Sequence, residues 1–189
     1  MEVLLGLVVG ICLSAACGFR VFLPLLGLSI AVLGGRLSLS PGFEWIGTWP
    51  ALIAFATATV VEIGAYYIPW VDHVMDALTT PAAVVAGTIV TASLVGDVPP
   101  FLKWSLAVVA GGGASAVVQG GTVALRAGSS GTTGGLANPV VSTIELIGAV
   151  VVTILALLLP ILCIVAVIWI FYKAFRAMAK SNLIRKLTA

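Results

Sequence analysis

The sequence predicts an all-α integral membrane protein with several helices that cross the bilayer. Hydrophobic residues make up 61% of the 189 residues, charged residues only 8%, and the mean hydropathy is +1.22. A soluble domain carries about 25% charged residues, so this chain has too few charges to cover a water-facing surface. Several successive apolar stretches approach or exceed the roughly 20 residues that a membrane-spanning helix needs. We expect five to seven membrane segments in a single domain over residues 1–178, with a basic tail at 179–189.

The first apolar block, Val3–Leu33, is too long for one straight helix across the bilayer. Such a helix would be about 45 Å long, against a hydrocarbon core of about 30 Å. Gly18, Arg20 and Pro24 lie close together inside the block, and proline interrupts helical hydrogen bonding. We expect a break there, which produces either two shorter helices or a re-entrant hairpin. Because no basic residues precede the apolar run, we expect a retained segment and not a cleaved signal.

The middle of the chain predicts three further membrane segments. Ala51–Ile68 ends in tyrosine and tryptophan residues of the kind found at membrane interfaces. Pro81–Val95 is short, and Phe101–Leu125 contains several glycines that permit close helix approach in lipid. Residues 127–138 are rich in Gly, Ser and Thr, which predicts a flexible connector. The glycines of the fourth segment suggest a surface for self-association into a homo-oligomer.

The last apolar block, Val140–Phe175, is again overlong and contains Pro160 near its middle. Asn138 followed by Pro139 predicts a helix start, with Asn138 as the N-cap. The block forms either two helices or one kinked helix. Paired, interrupted segments in the two halves of a chain are typical of transporters, although two ordinary helix hairpins fit the pattern equally well.

Three acidic residues at membrane depth or at a membrane boundary are the main candidates for functional residues. Glu62 lies inside an apolar stretch, where an ionisable group is costly and usually faces a cavity. Asp72 and Asp76 are four residues apart, so on a helix starting near Pro69 they share one face. Two carboxylates at this spacing favour a divalent cation or a shared proton between them. The alternative is a solvated helix start, where acids are favoured by the helix dipole.

The second half of the chain contributes Glu145 and Asn138. Glu145 lies about two turns into the helix that begins at Asn138, and Arg126 is its nearest base in the sequence. Arg20 is the only base within the first two apolar blocks, so we expect it to approach Glu62 at the break in the first block. Asp72 and Asp76 would line the mouth of the resulting cavity, and Glu145 would reach it from the other half. A buried Glu–Arg pair is also compatible with a purely structural role.

The run from Ala16 to Leu25 resembles the N-terminal motif of small bacterial membrane proteins catalogued as domain of unknown function 4126. The resemblance extends over nearly the whole chain, through Glu62, the Ile68–Pro69 pair with the two aspartates, Asn138–Pro139 and a proline-containing final block before a basic tail. It implies an integral membrane protein. It implies no activity and no catalytic or binding residues.

These features favour a small inner-membrane transporter or channel for an ion or small solute, in which carboxylates bind a cation or protons. A membrane enzyme that uses Asp72 and Asp76 to hold a metal for chemistry on a lipid head group is a second hypothesis, and a structural or assembly protein is a third. A divalent cation is the one candidate ligand, and no nucleic-acid partner is expected. Five basic residues near the end of the chain predict a cytoplasmic C-terminus: Lys173, Arg176, Lys180, Arg185 and Lys186.

Overall fold

A computed structural model describes residues 2–68, 71–169, 172, 173 and 176, without the side chains of Glu2 and His73. The described part of the chain is helical and contains no strand, which confirms the predicted class. The helices are α1 (Glu2–Cys17), α2 (Phe22–Leu33), α3 (Trp49–Tyr66), α4 (Val71–Leu94), α5 (Pro100–Leu106), α6 (Gly113–Thr133), α7 (Asn138–Leu158) and α8 (Pro160–Trp169). A 3₁₀ turn (Glu44–Gly47) precedes α3, and a π-helical segment (Ala107–Gly112) joins α5 to α6.

Four helical stretches are long and apolar enough to cross a membrane, namely Trp49–Tyr66, Val74–Leu94, Pro100–Thr133 and Asn138–Leu158. Three shorter apolar helices, α1, α2 and α8, complete the set among the described residues. The protein is therefore a multi-pass membrane protein. The predicted basic tail at 179–189 lies outside the described residues.

The first apolar block forms a re-entrant hairpin whose tip is Gly18–Val21. α1 packs antiparallel to α4, because the start of α1 lies at the end of α4 while Ser14 donates to the Gly87 carbonyl at 2.6 Å. Beyond α2, Ser40 returns to the end of α4, where its N–H donates to the Ser93 carbonyl at 2.8 Å. α1 therefore enters and α2 leaves on the same side of the protein. The predicted break is confirmed, and of the two predicted alternatives the structure has the re-entrant hairpin.

The hairpin tip packs tightly against α6. A Cβ built on Gly18 would lie only 2.6 Å from the Ser115 carbonyl oxygen and from the Val118 side chain. Only glycine fits there without displacing α6, because it has no Cβ. Gly18 therefore has two effects: it weakens the helix at the end of α1, and it allows the hairpin tip to pack against α6.

The third membrane segment differs from the expectation, because α4 is one helix of 24 residues and not a short segment beginning at Pro81. Pro81 lies inside it. Hydroxyl groups of Thr79 and Thr80, just before the proline, donate to the carbonyls of Met75 and Asp76 at 2.8 and 2.6 Å. These bonds do not replace the one to the Ala77 carbonyl that Pro81 cannot form. Membrane helices tolerate such a proline because neighbouring helices and local adjustments satisfy the backbone. As a result Asp72 and Asp76 lie on the same continuous helix as Val90 and the other residues after Pro81.

Two further expectations about local structure were wrong. The Gly/Ser/Thr-rich stretch is not a flexible connector, since α6 continues to Thr133 and ends at Gly134 and Gly135, both with positive φ. Asn138 is the first residue of α7 and not its N-cap, which is Ala137, and the Asn138 side-chain N–H group donates to Asp72 instead. The final block does break before Pro160. The chain then turns back, so that the Cys163 sulfur lies 3.7 Å from the Val152 carbonyl oxygen. The final block is thus two helices.

Candidate functional site

A buried polar cluster fills the region between the hairpin tip and the opposite side of the protein. The tip contributes Arg20. The other members come from the end of α3, the start of α4, the middle of α6 and the start of α7. The cluster consists of Arg20, Glu62, Tyr66, Asp72, Asp76, Thr79, Gln119, Arg126, Asn138, Ser142 and Glu145. All six residues expected from the sequence belong to it.

Glu62 binds the start of α2 at the hairpin tip. Its two carboxylate oxygens accept hydrogen bonds from the backbone N–H groups of Val21 and Phe22 at 2.8 and 3.1 Å. The first N–H groups of a helix have no partner within the helix, and a carboxylate there is also favoured by the helix dipole. Glu62 is therefore a cap supplied from another helix, in direct contact with the residues that follow Arg20.

Arg20 points from the tip towards α7. Its Nη2 donates to the Ser142 carbonyl oxygen at 3.0 Å and to the Ser142 hydroxyl, and lies 3.9 Å from the Glu145 carboxylate. The side chain is buried, with an exposed fraction of 1% for the residue. Nε and Nη1 have no hydrogen-bond partner among the described residues. Arg20 thus connects the tip to the second half of the chain.

Arg126 is the centre of the ionic contacts. It donates to Asp76 at 2.6 Å through Nη1 and to Glu145 through Nη2. The Tyr66 ring lies against both arginines, with guanidinium carbons 4.1 Å (Arg20) and 3.8 Å (Arg126) from the ring centroid. A cation over an aromatic face is attracted by the ring electrons. Tyr66 therefore holds two positive groups close together in a buried site.

The two aspartates of α4 have separate surroundings. Asp72 accepts a hydrogen bond from the Asn138 amide at 2.6 Å, and Asp76 interacts with Arg126 and with the Tyr66 hydroxyl, 3.2 Å away. Among the described residues, no group of three or more His, Cys, Asp or Glu side chains is arranged to hold a metal ion. The hypothesis of a metal between Asp72 and Asp76 stays a prediction without further support.

Arg126 and Tyr66 are two of the cluster members that were not expected from the sequence. Arg126 was noted only as the nearest base to Glu145, and Tyr66 only as a residue at a membrane boundary. An arginine within a glycine-rich apolar helix is itself a signal of an intramembrane partner. Tyr66 gives no comparable signal, because interfacial tyrosines are common and its contacts depend on how α3 is rotated.

Comparison with known families was made for the whole chain. The model of a family described as a domain of unknown function (DUF4126) matches residues 7–180. No curated protein and no solved structure matches the chain. The match covers the hairpin, all six expected residues and both arginines.

Proposed function

The chain belongs to the family described as domain of unknown function DUF4126, and from that premise we propose that it is a small transporter for an ion or small solute. Transport would depend on protons or a cation exchanging on its buried carboxylates. The family description carries no activity, so the proposal depends on the geometry of the polar cluster. The membrane-spanning helices and the re-entrant hairpin provide the framework.

The observation that carries the proposal is a connected series of buried and partly buried polar contacts that begins at the hairpin tip. It passes from Arg20 to Glu145, on to Arg126 and Asp76, and to Tyr66 and Thr79. Asp72 and Asn138 lie beside it at the start of α4 and α7, where Asn138 also donates to Ser130 at 3.0 Å. The series thus extends towards the side opposite to the hairpin entrance.

The charges of this cluster favour a role beyond helix packing. The Glu145 carboxylate shares Arg126 with Asp76, and its Oε1 is buried without a hydrogen-bond partner among the described residues. Ionised groups at membrane depth cost a few kcal/mol each unless they are paired, so an incompletely paired carboxylate such as Glu145 favours binding of a proton or of a cation. Ion-coupled transporters place such groups near the membrane centre at interrupted helices.

The hairpin gives the cluster an asymmetric position. From the tip back to its entrance the hairpin is packed with small and apolar residues, including Cys12, Leu13, Leu25 and Leu28. Polar contacts therefore lead from one side to the tip, and apolar packing blocks the other side. Alternating access requires a rearrangement at the tip, where Glu62 holds α2 and Arg20 contacts α7.

The test is solute-driven proton movement in proteoliposomes that contain a pH-sensitive dye. Imposed gradients of sodium, potassium, magnesium, acetate or sulfate are compared with protein-free liposomes. We expect at least one gradient to move protons, and Glu145→Gln to reduce the rate by at least about tenfold, since it removes the exchanging carboxylate.

Glu44→Gln is the matched control, because Glu44 is an exposed acid that accepts a hydrogen bond from the Gly42 backbone N–H, away from the polar cluster. This variant should keep the wild-type rate. If no gradient moves protons through correctly folded wild-type protein, the transporter proposal is wrong. The same conclusion follows if Glu145→Gln, shown by gel filtration to be folded, transports as fast as the wild type.

A further inference from the structure

We infer that the solute carries an oxyanion group, and that Arg20 and Arg126 bind this group at the position that the Glu145 carboxylate occupies here. The inference rests on the proposed function and names its substrate class. The bound group would be a carboxylate, sulfate or phosphate oxyanion, free in water or attached to a lipid head group. Glu145 would then be the internal counter-ion that the solute displaces.

The first argument is the state of the arginine donors. Nε and Nη1 of Arg20 and Nε of Arg126 are buried and have no hydrogen-bond partner among the described residues. Leaving a buried donor unpaired costs about 1–3 kcal/mol, and more for a charged group. Both arginines have exposed fractions of only 1% and 3%, so bulk water does not satisfy them. Three unpaired nitrogens on two neighbouring guanidiniums favour a ligand that brings acceptor oxygens.

The second argument is the geometry of Glu145. One of its carboxylate oxygens, Oε2, is bound by Arg126 and lies 3.9 Å from Nη2 of Arg20, which exceeds a hydrogen-bond distance. Its other oxygen, Oε1, is buried without a partner among the described residues. Glu145 thus satisfies one arginine and only approaches the other. A small oxyanion between the two guanidiniums has oxygens enough for both.

The third argument is the choice and spacing of the basic groups. Arginine presents several N–H groups in one plane and matches carboxylate and phosphate oxygens better than lysine does. Tyr66 contacts both guanidiniums, and Ser142 holds Arg20 through two hydrogen bonds. The pair is therefore held in position before any ligand arrives.

Binding of an anion must be accompanied by proton uptake. Arg20 from the tip and Arg126 from α6 lie against Glu145. Tyr66 and Asp76 contact these arginines, and Glu62 and Asp72 belong to the same cluster. Because the anion would take the position of the Glu145 carboxylate, it would be repelled unless that carboxylate is neutralised. Protonation of Glu145 removes the competing charge and releases Arg126. The affinity for the anion should therefore rise as the pH falls.

The experiment is equilibrium binding of radiolabelled sulfate to the purified protein in detergent, with chloride at the same ionic strength as the reference. Sulfate keeps its charge between mildly acidic and mildly alkaline pH. We expect the wild-type Kd to fall by up to about tenfold for each unit decrease in pH, as uptake of one proton requires. Glu145→Gln should bind sulfate at least about tenfold more tightly at alkaline pH and lose the pH dependence, because one competing charge is gone.

Arg20→Gln should abolish sulfate binding. If that variant does not fold, Arg20→Lys, which keeps the charge, takes its place and should weaken sulfate binding. Arg36→Gln is the matched control, because Arg36 is exposed in the loop after α2. A structural role for Glu145 predicts no gain in affinity in Glu145→Gln, and that result would overturn the inference.

A second measurement distinguishes the two sources of the oxyanion. Native mass spectrometry of protein purified from phosphatidylglycerol-containing membranes should detect a retained lipid that Arg20→Gln loses and Arg36→Gln keeps, if the group belongs to a lipid head group. Sulfate binding without such a lipid identifies a soluble anion. Absence of both overturns the inference, whereas cation-driven proton flux in the same preparation would leave the transporter proposal intact.

Discussion

At the scale of single residues, Glu62 has a specific structural role that does not depend on the proposed transport. It supplies both oxygens to the backbone at the start of α2, and it is almost completely buried. A re-entrant hairpin exposes a helix start inside the protein, and lipid and apolar side chains cannot satisfy its N–H groups. The acid at membrane depth is therefore explained first by the chain break beside it.

The cap can be tested by two substitutions of different severity. Glu62→Gln keeps one acceptor oxygen and should lower the free energy of unfolding by about 1–3 kcal/mol, whereas Glu62→Leu leaves both N–H groups unpaired and should cost more. The measurement is unfolding of the purified protein in mixed micelles. Glu44→Gln, which alters one exposed hydrogen bond, should change stability by less than about 0.5 kcal/mol. A Glu62→Leu protein as stable as the wild type would contradict the capping role.

At the scale of elements, α4 packs against both the π-helical segment and α6, and these contacts depend on small residues. A Cβ built on Gly87 would lie 3.0 Å from the Gly111 carbonyl oxygen and even closer to the Ser115 hydroxyl. Ser115 in turn donates to the Ser14 carbonyl at 2.7 Å, which connects this contact to α1. Gly120, on the exposed side of α6, meets nothing within 4 Å. The glycines of these helices are thus of two kinds: some lie against a neighbouring helix, and others have free space where a side chain would be.

This difference predicts opposite effects of the same substitution. Gly87→Ala should destabilise the protein by about 1–3 kcal/mol, because the added methyl group forces two backbones apart. Gly120→Ala should leave stability unchanged or raise it by up to about 1 kcal/mol, since alanine is the better helix former. Both free energies come from unfolding in mixed micelles. Equal effects of the two substitutions would show that α4 does not approach α6 as closely as described.

At the scale of the whole molecule, the re-entrant hairpin determines which loops share a side. The loop after α2 lies beside the end of α4, where the Ser40 hydroxyl donates to the Val95 carbonyl at 2.7 Å. The turn after α6 lies on the other side, near the start of α4, as the contacts of Asn138 with Asp72 and Ser130 require. A first block that crossed the membrane once would put the loop after α2 on that second side instead.

Cysteine labelling in sealed vesicles distinguishes the two topologies. In a background where the three buried cysteines are replaced by alanine, Ser38→Cys and Asp97→Cys should react with a membrane-impermeant maleimide from the same side. Thr132→Cys should react only from the opposite side. All three positions are exposed. Labelling of positions 38 and 132 from one side would exclude a re-entrant hairpin.

The sequence by itself determined the class of the protein, the break in the first block and the identity of the acids in the membrane. These follow from local properties. The length of an apolar run, a proline within a helix and a lone Glu62 in an apolar run each restrict the structure in a way that depends little on the rest of the fold. Only the tertiary structure decided that α2 turns back, that residues up to Thr133 are helical and that Arg126 and Tyr66 join the cluster. The reason is that partners such as Glu145 and Arg20, far apart along the chain, meet only when the rotation and direction of several helices are known. A charge in the membrane indicates that a partner exists, and packing selects which one.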